Sequence, residues 1–182
     1  MSSQTNSQKE GKNIFVTVGT TKFDQLVNAV TSKIALEWME CNGFSSLTIQ
    51  HGRGAKPEIL THSSSIKIQS YDFRPSLKED MEHADLILSH AGAGTVMECL
   101  RMNKKLVVVI NTALMDNHQM ELAGAMADRG LLYMVESPEN LDTKQTWESF
   151  EDFSPTQHEQ GDPYDFPRLL DSFLGFATAK ME

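Results

Sequence analysis

The chain has 182 residues, of which 40% are apolar and 23% are charged. That is enough for one domain with a buried core and too short for a two-domain enzyme. Asp and Glu number 25 against 16 Lys and Arg, and the excess is concentrated in residues 136–165, which hold nine acids and one base. Because the remainder is nearly neutral, neither a basic nucleic-acid surface nor a polybasic membrane patch is expected.

The first twelve residues are polar, and we expect them to form a disordered tail without a secretory signal. No apolar run approaches the roughly 18 residues that a membrane-spanning helix needs. The sequence therefore predicts a cytosolic protein that reaches a membrane only through another protein.

Strands and helices are predicted to alternate after this tail, because short apolar runs rich in β-branched residues are followed by apolar residues at helical spacing. The predicted elements, in chain order, are a strand at residues 13–18, a helix at 23–42, strands at 46–50 and 66–71, a helix at 76–83, a strand at 86–89, a helix at 95–102, a strand at 106–110, a helix at 117–129 and a strand at 131–135. A capping box formed by Ser76 and Glu79 is expected to open the second helix.

Continuously apolar strands indicate that both faces of the sheet are covered, and helical crossovers between them predict an α/β fold. We expect a Rossmann-like open parallel sheet over residues 13–135, with helices on both faces and ligands at the carboxyl ends of the strands. Residues 136–163, acidic and bearing Pro, Ser and Gln, are expected to form a mobile linker. Residues 164–182 are expected to form a last amphipathic helix, with an apolar stripe from Phe166 to Ala177.

The segment between the predicted strand at 86–89 and the helix at 95–102 carries two glycines, Gly92 and Gly94. Glycines there allow a ligand to approach the backbone, and the N–H groups and positive dipole end of the following helix attract phosphate. The alternative is an ordinary turn in which the Thr95 hydroxyl caps the helix. A P-loop is excluded because its glycine-lysine motif does not occur, and a dinucleotide fingerprint fits poorly because Met97 stands where a third glycine is required.

Glu98 and His90 flank this glycine segment. Glu98 lies about 6 Å beyond Gly94 along the helix axis, where its carboxylate would accept hydrogen bonds from two ribose hydroxyls. The alternative is a solvent-exposed helical glutamate. His90 would donate to the same phosphates, or it is a structural histidine.

Two other strand ends carry polar residues. Gly19, Thr20 and Thr21 close the first strand and would add backbone and hydroxyl donors, unless they form a plain turn. Asn117, His118 and Gln119 open a helix, and their amide and imidazole groups suit sugar hydroxyls, although Asp116 and Gln119 also form a simple capping pair. No Asp-x-Asp pair occurs, so we expect phosphate charge to be met by helix ends and side chains, without a metal ion.

Four segments together carry a family resemblance. They are Phe15-Val-Thr-Val-Gly-Thr-Thr21, Ser89-His-Ala-Gly-Ala-Gly-Thr-Val-Met-Glu98, Leu106-Val-Val-Val-Ile-Asn111 and Asn117-His-Gln-Met-Glu-Leu-Ala123. The set resembles the small cytosolic subunits of the eukaryotic dolichol-pathway N-acetylglucosaminyltransferases. Those subunits are similar to the C-terminal halves of bacterial undecaprenyl-muramoyl-peptide N-acetylglucosaminyltransferases, which have the GT-B fold.

The resemblance implies roles for individual residues. The diphosphate would be held by His90, Ala91, Gly92, Ala93, Gly94 and Thr95. Glu98 would hold the ribose, and His118 and Gln119 would face the sugar. Phe73 and Arg74 would lie beside the uracil, chiefly through their backbone. The chain departs from the bacterial pattern at His118, where Asp or Arg often stands.

The resemblance also implies a reaction, the transfer of GlcNAc from UDP-GlcNAc to GlcNAc-diphosphodolichol in lipid-linked oligosaccharide assembly for N-glycosylation. His90 would be the catalytic residue, helping the backbone N–H groups to stabilise the UDP leaving group without a cofactor. GT-B enzymes react between two Rossmann domains, so a membrane-anchored, acceptor-binding subunit would complete a heterodimer at the cytosolic face of the endoplasmic reticulum. A nucleotide-sugar-binding regulatory module without turnover and an NAD-dependent oxidoreductase remain open.

Overall fold

The computed structural model describes residues 11–58, 65–112 and 117–156. Its strands are β1 (Lys12–Thr17), β2 (Phe44–Gln50), β3 (Lys67–Tyr71), β4 (Leu86–His90), β5 (Leu106–Val109) and β6 (Tyr133–Val135). Its α-helices are α1 (Asp24–Val30), α2 (Lys33–Cys41), α3 (Lys78–His83), α4 (Ala93–Arg101), α5 (Asn117–Asp128) and α6 (Lys144–Asp152), and a 3-10 helix spans Pro138–Asp142.

The six strands form one sheet in the order β3-β2-β1-β4-β5-β6, and every neighbouring pair is parallel. This is the strand order of a doubly wound Rossmann sheet. The predicted fold class is therefore confirmed, because each of the six runs predicted to be a strand forms a strand of this parallel sheet.

Alternate residues of the central strands point to opposite faces, so each face has its own core. Ile14 and Val16 of β1 lie in the cluster covered by α1, α2, the 3-10 helix and α6. Phe15 lies in the other cluster, which is covered by α3, α4 and α5. Both cores hold side chains that are almost completely inaccessible to solvent, as the continuous apolar runs predicted.

The single helix predicted at residues 23–42 is wrong, since the structure breaks it into α1 and α2 at Thr31 and Ser32. The Thr31 hydroxyl donates to the carbonyls of Val27 and Asn28 at the end of α1. The Ser32 hydroxyl accepts from the Ala35 N–H and caps α2. Hydroxyl side chains that bond the local backbone compete with a continuous helix.

The predicted capping box at Ser76 and Glu79 is also wrong. Helix α3 begins at Lys78, and its N-cap residue, Leu77, makes no side-chain capping bond. The Ser76 hydroxyl instead accepts from the Lys78 N–H at 3.2 Å, which is a local turn contact ahead of the helix.

The mobile linker predicted at residues 136–163 is contradicted as far as residue 156, where the chain forms the 3-10 helix and α6. Trp147 and Phe150 of α6 have no exposed surface, and the Trp147 indole donates to the Leu141 carbonyl at 2.8 Å. The acidic side chains Glu148 and Glu151 point to solvent. Average composition therefore concealed an amphipathic helix, so the folded domain continues past residue 135.

Parts of three predictions lie outside the described residues. They are the disordered tail up to residue 10, the linker from residue 157 and the amphipathic helix at 164–182.

Trp147→Ala tests whether α6 belongs to the domain. The indole packs against Trp38 of α2 with ring centroids 5.3 Å apart, so its removal leaves a cavity in the core. We expect the free energy of unfolding in urea to fall by about 3–5 kcal/mol. Glu148→Ala is the control, because its exposed ion pair with Lys144 contributes about 0–1 kcal/mol. Equal stability of the two variants would contradict the assignment of α6 to the core.

Candidate functional site

The order of the strands reverses between β1 and β4, which lie side by side with Thr17 opposite Ser89. Helix α1 follows β1 onto one face of the sheet, and α4 follows β4 onto the other. The chain therefore leaves these two strand ends toward opposite faces of the sheet, and open α/β sheets bind ligands at such a point. We call this place the switch-point edge and define it by residues 17–21 and 89–95.

The first turn of α4 lies at the switch-point edge, and we call it the anion seat after its candidate role. Gly92 is the N-cap residue and makes no side-chain capping bond, so the alternative in which the Thr95 hydroxyl caps this helix is contradicted. The first helical bond runs from the Val96 N–H to the Gly92 carbonyl. The preceding N–H groups, on Ala93, Gly94 and Thr95, have no acceptor one turn earlier in the helix.

The space beside Gly94 in this turn is open, whereas the space beside Gly92 is filled by a side chain. A Cβ atom added to Gly94 would meet no atom within 4 Å, so a ligand can approach the backbone there. A Cβ atom on Gly92 would lie 2.6 Å from Nε2 of His90. Gly92 is therefore required by the fold itself, because the imidazole occupies the space beside it.

His90, the last residue of β4, places its ring between two glycine backbones. A Cβ atom on Gly19 would lie 2.9 Å from Cε1 of His90, so the ring contacts the loops after both β1 and β4. Nδ1 of His90 is buried and has no hydrogen-bond partner within the described residues. Burial lowers the pKa of His90, and the nearby Thr17 backbone opposes this shift only in part. The imidazole is therefore neutral at pH 7 and donates one N–H.

The loop after β1 is held in a tight turn. Gly19 has a φ of 61°, which favours glycine, and both the N–H and the hydroxyl of Thr21 donate to the Val18 carbonyl. The Thr21 carbonyl accepts from the Arg53 N–H of the loop after β2. The Thr21 hydroxyl is thus engaged in the turn, whereas Thr20 is exposed at the edge.

Glu98 lies in the second turn of α4 with its side chain partly exposed, while its neighbours Met97 and Cys99 are buried. Within the described part of the chain, no hydrogen bond or ion pair holds its carboxylate. Four residues of helix place it about 6 Å along the axis from Gly94. The carboxylate is therefore available to a group bound next to the anion seat.

Phe73 and Arg74 follow β3 at the same edge of the sheet. Three strand spacings, roughly 14 Å, separate the ends of β3 and β4. Phe73 is 50% exposed. The Arg74 guanidinium lies 4.0 Å above the Tyr71 ring and bonds to both carboxylate oxygens of Asp80. Because these contacts occupy the Arg74 side chain, a ligand here would meet chiefly backbone and the Phe73 ring.

Tyr71 and Asp80 complete this small cluster. The Tyr71 hydroxyl donates to the Asp80 carboxylate, and partial burial together with this bond raises the pKa of Tyr71 well above its ordinary value. The phenol therefore stays protonated at pH 7 and donates to Asp80 next to the loop that carries Phe73.

Asn117, His118 and Gln119 form the first turn of α5, which follows β5. Their side chains lie outside the described residues, as does Asp116. Asn111, just after β5, is buried and donates to the Lys22 carbonyl at 3.4 Å, which joins this strand end to the loop after β1.

Gln50 was not predicted from the sequence. It ends β2 as a buried polar residue, and its amide contacts the loops after β1 and β3. The available signal was a glutamine directly after the apolar pair formed by Leu47 and Ile49, at the carboxyl end of a strand.

None of the helices in the described residues has the length and apolar character needed to span a bilayer. No group of three or more His, Cys, Asp or Glu side chains in the same ranges is placed to hold a metal ion.

Comparisons with known proteins identify the family. Residues 13–155 match the model of the glycosyltransferase family 28 C-terminal domain. The human UDP-N-acetylglucosamine transferase subunit ALG13 is 45% identical over 122 residues, which are 67% of this chain and 11% of the human protein. This chain thus spans only about a tenth of the length of that relative.

Two solved structures share the fold. An NMR solution structure of ALG13 has a TM-score of 0.65 and 27% identity, covering 88% of this chain and 96% of that one. The crystal structure of Acinetobacter baumannii MurG has a TM-score of 0.63 and covers 92% of this chain and 50% of MurG; at 18% identity it shows the fold alone. Since the family model spans well over half of the residues, the resemblance is confirmed, and this chain belongs to the glycosyltransferase family 28 C-terminal domain family.

Proposed function

We propose that this chain is the donor-binding, catalytic subunit of a two-subunit N-acetylglucosaminyltransferase that moves GlcNAc from UDP-GlcNAc to GlcNAc-diphosphodolichol. The observation that carries the proposal is the uncapped start of α4 beside His90, with Glu98 one turn further along the helix. The printed name of the human relative, a UDP-N-acetylglucosamine transferase subunit, supports this choice of donor.

The anion seat would bind the diphosphate through the N–H groups of Ala93, Gly94 and Thr95. The same groups would stabilise the negative charge that develops on UDP as it leaves, because preorganised donors need no rearrangement at that moment. His90 would donate its single N–H to the same phosphate oxygens. Glu98 would accept from the ribose hydroxyls.

The remaining site residues would bind the two ends of the donor. Ala91 and Gly92 would complete the phosphate loop, with Gly19, Thr20 and Thr21 on its other side. Phe73 and Arg74 would lie beside the uracil. Asn117, His118 and Gln119 would face the sugar.

A second, membrane-anchored subunit would bind the lipid-linked acceptor and form a heterodimer with this chain. The described domain has one Rossmann-like sheet, and a transfer between two substrates needs a second surface facing its carboxyl edge. Such a partner would hold this chain at the cytosolic face of the endoplasmic reticulum. The stripe between Phe166 and Ala177 would form part of the junction.

The reaction is tested with radiolabelled UDP-GlcNAc and phytanyl-diphosphate GlcNAc, using the chain alone and the chain copurified with its membrane-anchored partner. We expect a disaccharide product from the pair only. A chain lacking residues 164–182 should still bind UDP but neither copurify with the partner nor support turnover; unchanged copurification would exclude this segment from the junction. Donor binding by the pair without product would indicate a regulatory module, and NADH binding that UDP fails to displace would indicate an oxidoreductase.

Glu98→Ala tests the ribose contact. Loss of one or two charge-assisted hydrogen bonds should lower the affinity for UDP about tenfold to a hundredfold, as measured by calorimetry. The wild-type protein should bind UDP more tightly than 2′-deoxy-UDP, and this preference should shrink in the variant.

Glu82→Ala is the matched control for Glu98→Ala. Glu82 lies on the exposed face of α3 in an ion pair with Lys78, away from the anion seat. The control should bind both nucleotides as the wild type does. If Glu98→Ala keeps both the affinity and the preference, Glu98 is not a ribose ligand.

Gly94→Ala tests the approach of the ligand to the start of α4. The added methyl group meets no protein atom, and alanine favours a helix over glycine by about 1 kcal/mol, so the melting temperature should hold or rise. The affinity for UDP should nevertheless fall about tenfold or more, because the methyl group occupies the space above the N–H donors. Gly124→Ala, at an equally open position in α5, is the control that should leave the affinity unchanged. Equal affinities in the two variants would place the phosphate elsewhere.

A further inference from the structure

Gln50 uses its whole side-chain amide to join two loops of the carboxyl edge. The residue is 2% exposed and ends β2, between β1 and β3. Its Oε1 accepts from the Thr17 hydroxyl at 2.6 Å and from the Gly19 N–H at 2.9 Å. Its Nε2 donates to the Gly19 carbonyl at 2.8 Å and to the Asp72 carbonyl at 2.7 Å.

These four bonds fill the hydrogen-bonding capacity of a carboxamide, which has two donors and two acceptor lone pairs. Gly19 is held at both its N–H and its carbonyl by one side chain, at a φ of 61° that few residues adopt. Because the Gln50 amide is itself buried, leaving its donors or acceptors unsatisfied would cost more free energy than the bonds contribute.

One of the two held loops belongs to the phosphate half of the site. Gly19 lies against the His90 ring, and that ring lies against Gly92, the N-cap residue of α4. A shift of Gly19 would therefore be transmitted through the imidazole to the start of the helix.

The other held loop belongs to the base half of the site. The Asp72 carbonyl bonded to Gln50 is part of the peptide that leads into Phe73, and the Phe73 N–H donates to the Asp72 carboxylate at 2.7 Å. Gln50 thus fixes the start of the turn that presents Phe73 and the backbone of Arg74.

We propose that Gln50 is a positioning residue that holds the loops after β1 and β3 at the separation that binds the phosphate and base halves of one nucleoside diphosphate together. It acts through Gly19 and Asp72 and touches no ligand itself. This inference rests on the proposed donor site at the switch-point edge.

Gln50→Glu is the test variant, because it keeps the length of the side chain but removes both N–H donors and places a carboxylate oxygen against two carbonyls. Gln69→Glu is the control with the same chemical change. Gln69 lies on the neighbouring strand β3 and is exposed, and its side-chain amide donates to the Thr48 hydroxyl at 2.7 Å. The full 182-residue chain is titrated with UDP, uridine and pyrophosphate, and ligand-induced amide shifts are followed by NMR.

Gln50→Glu should weaken UDP binding about tenfold or more. Uridine and pyrophosphate should each bind more weakly too, because both loops lose their tether. Gln69→Glu should bind all three ligands as the wild type does. Wild-type UDP affinity in folded Gln50→Glu would overturn the proposal, and so would a loss confined to one of the two half-ligands.

Thr17→Val covers the case in which Gln50→Glu does not fold. Valine keeps the shape of the buried threonine and removes its hydroxyl, which donates to Gln50 Oε1 and also accepts from the Gly19 N–H at 3.2 Å. We expect a smaller loss, about twofold to fivefold, for both uridine and pyrophosphate. Unchanged affinity for both would overturn the proposal.

Failure of the donor site itself would be recognised separately, because the wild-type chain would then bind no UDP. In that case the positioning role of Gln50 is tested by amide hydrogen exchange in the absence of ligand. Thr17→Val removes a bond to the Gly19 N–H directly, so the Phe73 N–H, which Gln50 connects to Thr17 through the Asp72 carbonyl, is the reporter. Its exchange should accelerate relative to Val96 in α4. Equal acceleration, or none, at Phe73 and Val96 would overturn the positioning role.

Discussion

The His90 imidazole fills the space between the backbones of Gly19 and Gly92, and this contact joins two loops at the point where the strand order reverses. The loops would otherwise diverge, because the helices that follow them pack on opposite faces of the sheet. A side chain at either glycine would displace the ring. The packing of the His90 ring against both glycines thus fixes the position of the start of α4 relative to the loop after β1. The candidate site depends on that relative position.

The backbone contributes to the electrostatics of this edge. Burial lowers the pKa of His90, so the free protein holds no fixed positive charge on that ring at pH 7. The N–H groups and dipole of α4 attract a diphosphate over a short range. The end of α6, which carries Glu148 and Glu151, lies beside Lys105 just before β5, at the amino edge of the sheet and away from the anion seat.

Sequence patterns predicted the strands of the sheet well, but they predicted the break within the first helical segment and the helix at residues 144–152 poorly. The central strand at residues 86–89 was found within one residue because only apolar side chains fit a strand that is covered on both faces. The helix break at Ser32 is not predicted, because apolar residues at helical spacing continue across it. The break arises because the Ser32 hydroxyl caps the start of α2. Residues 144–152 form a helix where a linker is predicted, because the acidic composition hides Trp147 and Phe150, whose spacing of three residues is typical of a buried helical face.

The sequence by itself determined the parallel α/β fold, the glycine-bearing turn into α4 and the family, because these follow from local patterns and ordered motifs. Only the tertiary structure decided that Gly92 makes room for His90 while Gly94 stays open, and that Arg74 is occupied by Tyr71 and Asp80. It also decided that Gln50 joins loops 31 and 22 residues away along the chain. The reason is physical: packing and hydrogen bonding between distant segments depend on which strand ends become neighbours, and no local pattern carries that information.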